Sequence, residues 1–327
     1  MRRLFVAALS AIVLGFSGVA MAADFSPAIV FDMGGKFDKS FNEAAYNGAE
    51  KFKGDSGDGY REFEVTNPSQ REQALRNMAR RGATIVVAMG FAQAGAVETV
   101  AKEFPDVKFT LIDMVVDLPN VQSVIFKEHE GSFLVGMAAA LTSKTGKVGF
   151  IGGMDIPLIR KFALGFVEGA KYVNSRVEVF QNMTGTTPSA WNDPTKGGEL
   201  ARSQFDRGAD VIYAAAGGTG VGVYQAAKDE GKFAIGVDSN QNYMHPGTML
   251  TSMVKRVDVA VYDAFQSAKD GTWSGGIKIL GLAEDGVGWA IDEHNRSVVS
   301  ADVEAQVEAA RKDIIAGKVV VTDYMIQ

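Results

Sequence analysis

The chain alternates short apolar runs with longer amphipathic ones. Runs such as residues 28–31 and 84–89 are continuous and apolar, which is typical of strands buried on both faces. Residues 69–81 instead place Leu75 and Met78 on one face of a helix. Strands and helices are therefore predicted to alternate, which favours parallel, doubly wound sheets.

The pattern predicts the following elements. The strands are 28–31, 61–65, 84–89, 108–113, 121–126, 147–152, 176–182, 211–216, 233–238, 249–254, 277–282, 287–291 and 319–324. The helices begin after Ser40 and after Gly90, and also cover 69–81, 131–142, 158–174, 197–207, 222–230, 257–269 and 301–316. They form two similar series, one on each side of residue 127, so we predict two α/β lobes between which the chain crosses more than once.

The stretch from Phe31 to Gly48, FDMGGKFDKSFNEAAYNG, joins a strand to the N-terminus of a helix. Gly34 and Gly35 interrupt the strand, and Ser40 is predicted to cap the helix, with Glu43 completing a capping box. In an open α/β sheet this junction lies at the carboxyl end of a strand, where ligands bind. Its mixture of polar residues and phenylalanine suits a flat ligand with polar edges. The alternative is a surface loop with one phenylalanine in the core.

Within this stretch, GGKFDKSFNEAAYNG resembles the signature of the basic membrane protein, or PnrA-like, family of ABC-transporter substrate-binding proteins. The resemblance covers nearly all of the chain after residue 23. It implies a purine nucleoside receptor with an α/β fold of two doubly wound Rossmann-like lobes joined by a three-strand hinge, the type I periplasmic binding protein fold. We expect crossovers near residues 126–128, 238–240 and 273–276. The first lobe would then comprise residues 24–126 and 240–274, and the second lobe residues 127–239 and 275–327.

Polar and aromatic residues at the predicted strand ends are the candidate ligand contacts. They are Asp38, Phe41, Asn42, Asp113, Trp191, Gly217, Asp238 and Lys255. Facing lobes would bring these strand ends to one cleft.

Four of these residues are assigned to the base. Asp38 and Asn42 offer an acceptor and an amide for a purine edge, and the alternative role for them is capping of the helix. Phe41 and Trp191 are predicted to stack on the purine from opposite lobes, although Trp191 could instead be a core residue. Trp191 lies in TTPSAWNDPTKGG, which resembles a family loop that commonly carries phenylalanine at this position.

Of the other four candidates, Asp238, Lys255 and Gly217 are assigned to the sugar. Asp238 and Lys255 resemble the family's ribose clamp and are expected to pair with each other, because both are costly to bury alone. The alternative is a surface salt bridge. Asp113 either contacts the ligand or positions Lys36 or Lys255. Gly217 is expected to offer a backbone contact, since GGTGVG matches neither phosphate-binding glycine motif.

The first 23 residues have the form of a secretory signal peptide: two arginines, an apolar run and small residues at the end. The chain has no cysteine, and a lipoprotein needs one at its cleavage site. We therefore expect a periplasmic protein that is exported through a cleaved signal peptide and is not lipid-anchored. The net charge of −6 argues against nucleic acid or an anionic membrane as a partner.

No catalytic motif stands out. The three histidines lack metal-ligand spacing, and there is no cysteine or G-x-S-x-G nucleophile, so we expect no metal, no cofactor and no enzymatic activity. The predicted partners are a purine nucleoside and the permease subunits of an ABC importer, with the protein itself a monomer. The alternatives are a free nucleobase or a pentose-type sugar as ligand, a nucleoside hydrolase that uses Asp38 or Asp238, and a sensor that passes its ligand to a membrane receptor.

Overall fold

The computed structural model describes residues 25–326, so the predicted signal peptide lies outside the described residues. The described chain forms two six-stranded sheets. The strands are β1 Pro27–Phe31, β2 Arg61–Glu64, β3 Ile85–Ala88, β4 Lys108–Ile112, β5 Val121–Phe126, β6 Lys147–Met154, β7 Glu178–Gly185, β8 Val211–Ala215, β9 Phe233–Asp238, β10 Met249–Lys255, β11 Gly276–Leu280 and β12 Val287–Trp289.

Helices cover the faces of these sheets. They are α1 Phe41–Ser56, α2 Gln70–Arg80, α3 Ala94–Glu103, α4 Glu128–Thr142, α5 Pro157–Val173, α6 Pro194–Asp206, α7 Gly220–Asp229, α8 Val257–Lys269 and α9 Ala301–Ile315. Among residues 25–326, no helix combines the length and the apolarity that crossing a bilayer requires.

The strand order is β11-β5-β4-β3-β1-β2 in the first sheet and β12-β10-β9-β8-β6-β7 in the second. Within these sheets all pairs are parallel except β10 with β12. Central strands such as β1 and β8 are buried along their whole length, as the continuous apolar runs predicted. The predicted α/β fold class with two doubly wound lobes is confirmed.

Sheet membership differs from the predicted lobe division in two places. Residues 240–274 were assigned to the first lobe, but β10 pairs with β9 in the second sheet, where its apolar side chains are buried. Residues 275–327 were assigned to the second lobe, but β11 extends the first sheet alongside β5. The chain therefore changes lobe after β5, after β10 and after β11. The number of crossovers is as expected, and the last two are displaced along the chain.

Two further elements differ from the sequence pattern. Residues 319–324 were predicted as a strand, but only a 3₁₀ turn, Tyr324–Ile326, is found there, because the segment packs against α5 rather than beside a strand. Helix α4 begins at Glu128, three residues before the predicted start. Consequently Glu128, at the first crossover, is buried at the base of the interlobe cleft.

Candidate functional site

One pocket lies between the lobes and encloses about 630 Å³, including the part open to solvent. All eight predicted contact residues line it: Asp38, Phe41, Asn42, Asp113, Trp191, Gly217, Asp238 and Lys255. The structure thus brings the predicted residues of both lobes together, while their roles toward a ligand stay predictions.

Lys255 forms the charged base of the pocket. Its Nζ lies 2.6 Å from Asp113 Oδ1 and 3.0 Å from Glu128 Oε1, and the lysine is 2% exposed. Burial alone would lower the pKa of Lys255, but the carboxylates of Asp113 and Glu128 outweigh this effect and raise it. Lys255 is therefore a permanent cation at neutral pH. Of the two roles left open for Asp113, the geometry supports positioning of Lys255.

Asp238 does not pair with Lys255, contrary to the sequence prediction. Its Oδ2 accepts a hydrogen bond of 2.6 Å from Ser40 Oγ, across the cleft. The predicted pairing is wrong because Asp113 and Glu128 already surround the ammonium group. Burial raises the pKa of Asp238, and the charge of Lys255 partly offsets that rise.

Two of these carboxylates sit on strained backbone. Asp113 follows β4 with φ of 74°, and Asp238 ends β9 with φ of 64°. The left-handed region costs a non-glycine residue roughly 1 kcal/mol or more, and such strain persists where the surroundings fix it, often at functional sites. The backbone at both strand ends therefore turns each carboxylate into the cleft.

Asp38, rather than Ser40, caps α1. One oxygen of Asp38 accepts from the backbone N–H groups of Ser40 and Glu43, at 2.8 and 3.1 Å, and the other accepts from that of Asn42 at 3.1 Å. Ser40 stands at the N-cap position, but its hydroxyl makes no capping bond. The capping-box prediction is wrong because Asp38 already occupies the free N–H groups, which leaves Ser40 Oγ for Asp238. Burial raises the pKa of Asp38 to about 7 despite its backbone partners.

The amide of Asn42 is held in one orientation. Its Nδ2 donates to the carbonyls of Asp32 and Gly35, at 3.0 and 3.1 Å. Within residues 25–326 its buried Oδ1 has no hydrogen-bond partner. The amide was predicted to contact the edge of a purine, and only its oxygen is left for another molecule.

Aromatic side chains line the pocket from both lobes. Phe41, the first residue of α1, belongs to the first lobe, and Trp191, in a 3₁₀ turn, belongs to the second. Gly153 lies under the indole, since a Cβ added there would sit 2.1 Å from Trp191 Cζ3. A Cβ added at Gly34, in the opposite lobe, would sit 3.3 Å from the Cβ of the same tryptophan. Trp191 therefore lies at the junction of the lobes and is partly buried there.

Gly217 lines the pocket beside Trp191. It has φ of 55°, and a side chain there would approach the carbonyl oxygen of Trp191 at 3.3 Å. Glycine is the residue that tolerates both conditions. This supports the predicted close approach of backbone at this turn.

Sequence reasoning missed several contributors. Glu128 was overlooked because it lies between a predicted strand and a helix whose start was placed too late; a charged residue next to an apolar strand end was the available signal. Asp32 also lines the pocket and is paired with Arg71 at 2.9 Å. Phe162 lines the pocket as well, whereas Tyr46 packs edge-on against Phe37.

Comparison with known proteins decides the family. Residues 25–323 match the model of the Bmp family, described as ABC transporter substrate-binding protein PnrA-like. The chain belongs to this family. The resemblance seen in the sequence signature is thereby confirmed, and because the family consists of substrate-binding proteins, the expectation of a non-enzymatic function is confirmed as well.

Individual Bmp relatives align over most of the chain. A Lactococcus lactis protein named ABC transporter nucleoside-binding protein BmpA is 32% identical and covers 94% of this chain and 91% of its own. The CD4+ T-cell-stimulating antigen of Listeria monocytogenes is 36% identical, covering 92% and 88%. A solved solute-binding protein of an Aeropyrum pernix K1 ABC transporter superimposes with a TM-score of 0.84 at 31% identity, covering 91% and 93%. The type I binding-protein fold is confirmed.

The predicted localisation is corrected by the same comparisons. Relatives from Pyrococcus abyssi, P. horikoshii and P. furiosus, 37–38% identical over 81% of this chain, are named lipoproteins. This contradicts the expectation of a protein that is not lipid-anchored. That expectation rested on the absence of cysteine and on residues 1–23, which lie outside the described part of the chain.

Proposed function

We propose that this Bmp-family protein binds a purine nucleoside in the interlobe cleft and delivers it to the membrane permease of an ABC importer. One observation carries the proposal: aromatic side chains from opposite lobes and a group of carboxylates around one buried lysine line the same pocket. A nucleoside has a flat, apolar-faced base and a hydroxylated ring in one molecule. The name of the Lactococcus lactis relative supports the same ligand class.

The aromatic part of the pocket would hold the base. Phe41 and Trp191 would cover its two faces, which removes apolar surface from water on both sides. The fixed Oδ1 of Asn42 would accept a hydrogen bond from a base N–H group, for which purines offer exocyclic amino or ring donors.

The charged part would hold the ribose. Lys255 has three N–H groups and donates a hydrogen bond to Asp113 Oδ2 at 2.8 Å, while Glu128 lies beside it as an ion-pair partner, so N–H groups are left to donate to a hydroxyl oxygen. Asp238 uses one oxygen for Ser40 and keeps the other for a ribose O–H group. A free nucleobase would leave these groups unused, and a sugar alone would leave the aromatic faces exposed to water.

The experiment that tests this function is native mass spectrometry of the purified protein, followed by denaturation and identification of any released small molecule. We expect adenosine, guanosine or inosine, and we expect the melting temperature to rise when these are added to ligand-free protein. A released sugar, or no release together with an unchanged melting temperature in millimolar nucleoside, would contradict the proposal.

Substitution of Trp191 then tests the base-binding role. Trp191→Ala should weaken nucleoside binding by roughly ten- to a hundredfold, because stacking of a base on an aromatic ring contributes about 1–3 kcal/mol. Trp191→Phe should keep most of the affinity. Tyr172→Ala, which removes an aromatic ring that is 56% exposed outside the pocket, is the matched control and should bind as the wild type does. Equal affinity of the Trp191→Ala and Tyr172→Ala variants would exclude stacking on Trp191.

A further inference from the structure

The charged group at the base of the pocket continues into the second lobe. Glu128 is 1% exposed and lies between two lysines: Lys255 Nζ is 3.0 Å from its Oε1, and Lys161 Nζ is 3.1 Å from its Oε2. Lys161, on α5, is itself 5% exposed and does not line the pocket. A buried lysine outside the pocket is thus joined to the pocket lysine through a single carboxylate.

Lys161 also connects to the first crossover and to the C-terminal segment. Its Nζ donates to the carbonyl oxygen of Phe126 at 2.7 Å and lies 3.3 Å from Asp323 Oδ2. The segment that carries Asp323 is anchored independently, because the backbone N–H of Thr322 donates to Glu168 Oε2 at 2.9 Å. The ionic chain therefore runs from the cleft, past the crossover, to the C-terminal segment.

We propose that Glu128 and Lys161 are positioning residues for Lys255, and that Asp323 completes their ion chain, so that affinity in the cleft depends on the C-terminal segment. The proposal deepens the nucleoside-binding function and rests on it. Buried charges stabilise one another only when each is compensated. Removing a distant member therefore changes the charge balance around Lys255 without touching a ligand.

The charges around Glu128 indicate how the loss of a neighbouring lysine would change the protonation of the buried carboxyls. Burial opposes its ionisation, but the charges of Lys255 and Lys161 outweigh burial and hold the pKa of this carboxyl below its usual value. For Asp113, burial dominates and raises the pKa to about 6, although Lys255 pulls it down. The other charged or titratable groups that face the chain are Asp238 from β9, Asp323 from the C-terminal segment and His129 from α4. Burial lowers the pKa of His129, which is therefore neutral at pH 7.

Loss of Lys161 should make binding sensitive to pH in the neutral range. Without its charge, Glu128 and Asp113 share one lysine, so they take up a proton at a higher pH and hold Lys255 less firmly. In Lys161→Met, nucleoside affinity should fall by about twofold at pH 7 and by up to about tenfold at the acidic end of the profile. The midpoint of the pH profile should move upward by about one pH unit, with affinity approaching that of the wild type near pH 9.

Three variants make this test specific. Lys161→Arg keeps the charge and should restore the wild-type profile, while Asp323→Asn removes a negative neighbour of the chain and should move the midpoint slightly to lower pH. Lys147→Met, which removes an exposed lysine 3.7 Å from Glu178 in the same lobe, is the matched control and should change nothing. Asp323→Asn and Lys161→Arg keep the test decisive if Lys161→Met fails to fold.

The measurement is calorimetric titration, from pH 5.5 to 9, with a nucleoside that the wild type binds. Opposite shifts in Lys161→Met and Asp323→Asn are expected. A uniform loss of affinity at every pH, or shifts of the same sign, would overturn the proposal and leave a purely structural role.

A wild type that binds no nucleoside would contradict the proposed function instead. The ion chain can then still be tested by the pH dependence of unfolding in ligand-free protein. A carboxyl with a depressed folded-state pKa stabilises the fold above its unfolded-state pKa and loses that contribution as the pH falls through the folded-state pKa. Lys161→Met reduces the depression for Glu128, so the variant should be less stable than the wild type near pH 7 and should lose less stability as the pH falls through the range in which Glu128 titrates. An acid-induced loss of stability equal to that of the wild type would contradict a role of the ion chain in holding Glu128 ionised.

Discussion

Two regions bridge the lobes, and they use different interactions. Beside the crossovers, Asp113 of the first lobe, Glu128 and Lys255 form a buried ionic group, which we call the crossover cluster. In the loop before α1, hydrogen bonds of polar side chains join the two lobes, and we call them the loop contacts. Ser40 Oγ donates to Asp238, and Gln241 Nε2 donates to the carbonyl oxygen of Lys39 at 2.9 Å. Ser239 Oγ adds a bond of 2.9 Å to the carbonyl oxygen of Ser40.

The difference indicates which set of contacts breaks when the cleft opens. Separating the ions of the crossover cluster would leave uncompensated charges in a low-dielectric site, which is costly. The loop contacts exchange at little cost for bonds to water, because the net contribution of an ordinary hydrogen bond is only about 1 kcal/mol. Hinge closure around a ligand is the usual motion of such two-lobed proteins. We therefore expect the loop contacts to form and break while the crossover cluster persists.

The largest effect should follow from breaking the crossover cluster. Lys255→Met leaves Asp113 and Glu128 buried without their cation, so the free energy of unfolding at pH 7 should fall by about 3–5 kcal/mol. The loss should be smaller at pH 5, because the carboxyl of Asp113, whose pKa is already raised to about 6, is then protonated. Urea unfolding at both pH values measures this. Lys51→Met, which removes an exposed lysine paired with Asp55, is the control, and an equal response of the two variants would contradict a compensated buried cluster.

An intermediate effect should come from the helix cap. Asp38→Ala removes the acceptor for three backbone N–H groups at the start of α1, so it should lower the free energy of unfolding by about 1 kcal/mol. Asp38→Asn keeps one acceptor oxygen and should lose less. If Ser40→Ala destabilised the protein as much as Asp38→Ala, Ser40 would be the cap after all.

The smallest effect should come from the loop contacts. Ser40→Ala removes one interlobe hydrogen bond and no cap, so the free energy of unfolding should fall by about 0.5 kcal/mol. Nucleoside affinity should fall about fivefold, since the closed form loses one net hydrogen bond of about 1 kcal/mol. Calorimetric titration measures the nucleoside affinity. The control is Ser69→Ala, which changes an exposed serine whose side chain makes only a local bond to Asn67. Unchanged affinity would mean that the Ser40–Asp238 bond is not part of closure.

The sequence predicted the fold well where patterns are local. Continuous apolar runs gave β5 and β9 their observed bounds, because strands buried on both faces carry that signal directly. The lobe assignment of β10 and β11 was missed, because which sheet a strand joins is decided by tertiary packing and leaves no mark on the strand's own residues.

The site was predictable in its members but not in its pairings. All eight candidates line the pocket, since strand ends in a doubly wound sheet meet at one edge. Which carboxylate holds Lys255 could not be read from spacing, because Asp113, Glu128 and Asp238 are all close to strand ends in the sequence. Competition between Asp38 and Ser40 for the same N–H groups was likewise decided only by three-dimensional geometry.

Calorimetric titration of the ligand-free protein tests the central claim most directly. A purine nucleoside, its free base and ribose should be compared at one pH. We expect the nucleoside to bind at least a hundredfold more tightly than either fragment, because the aromatic part and the charged part of the pocket then both have a partner. Ribose or free base binding as tightly as the nucleoside would contradict it.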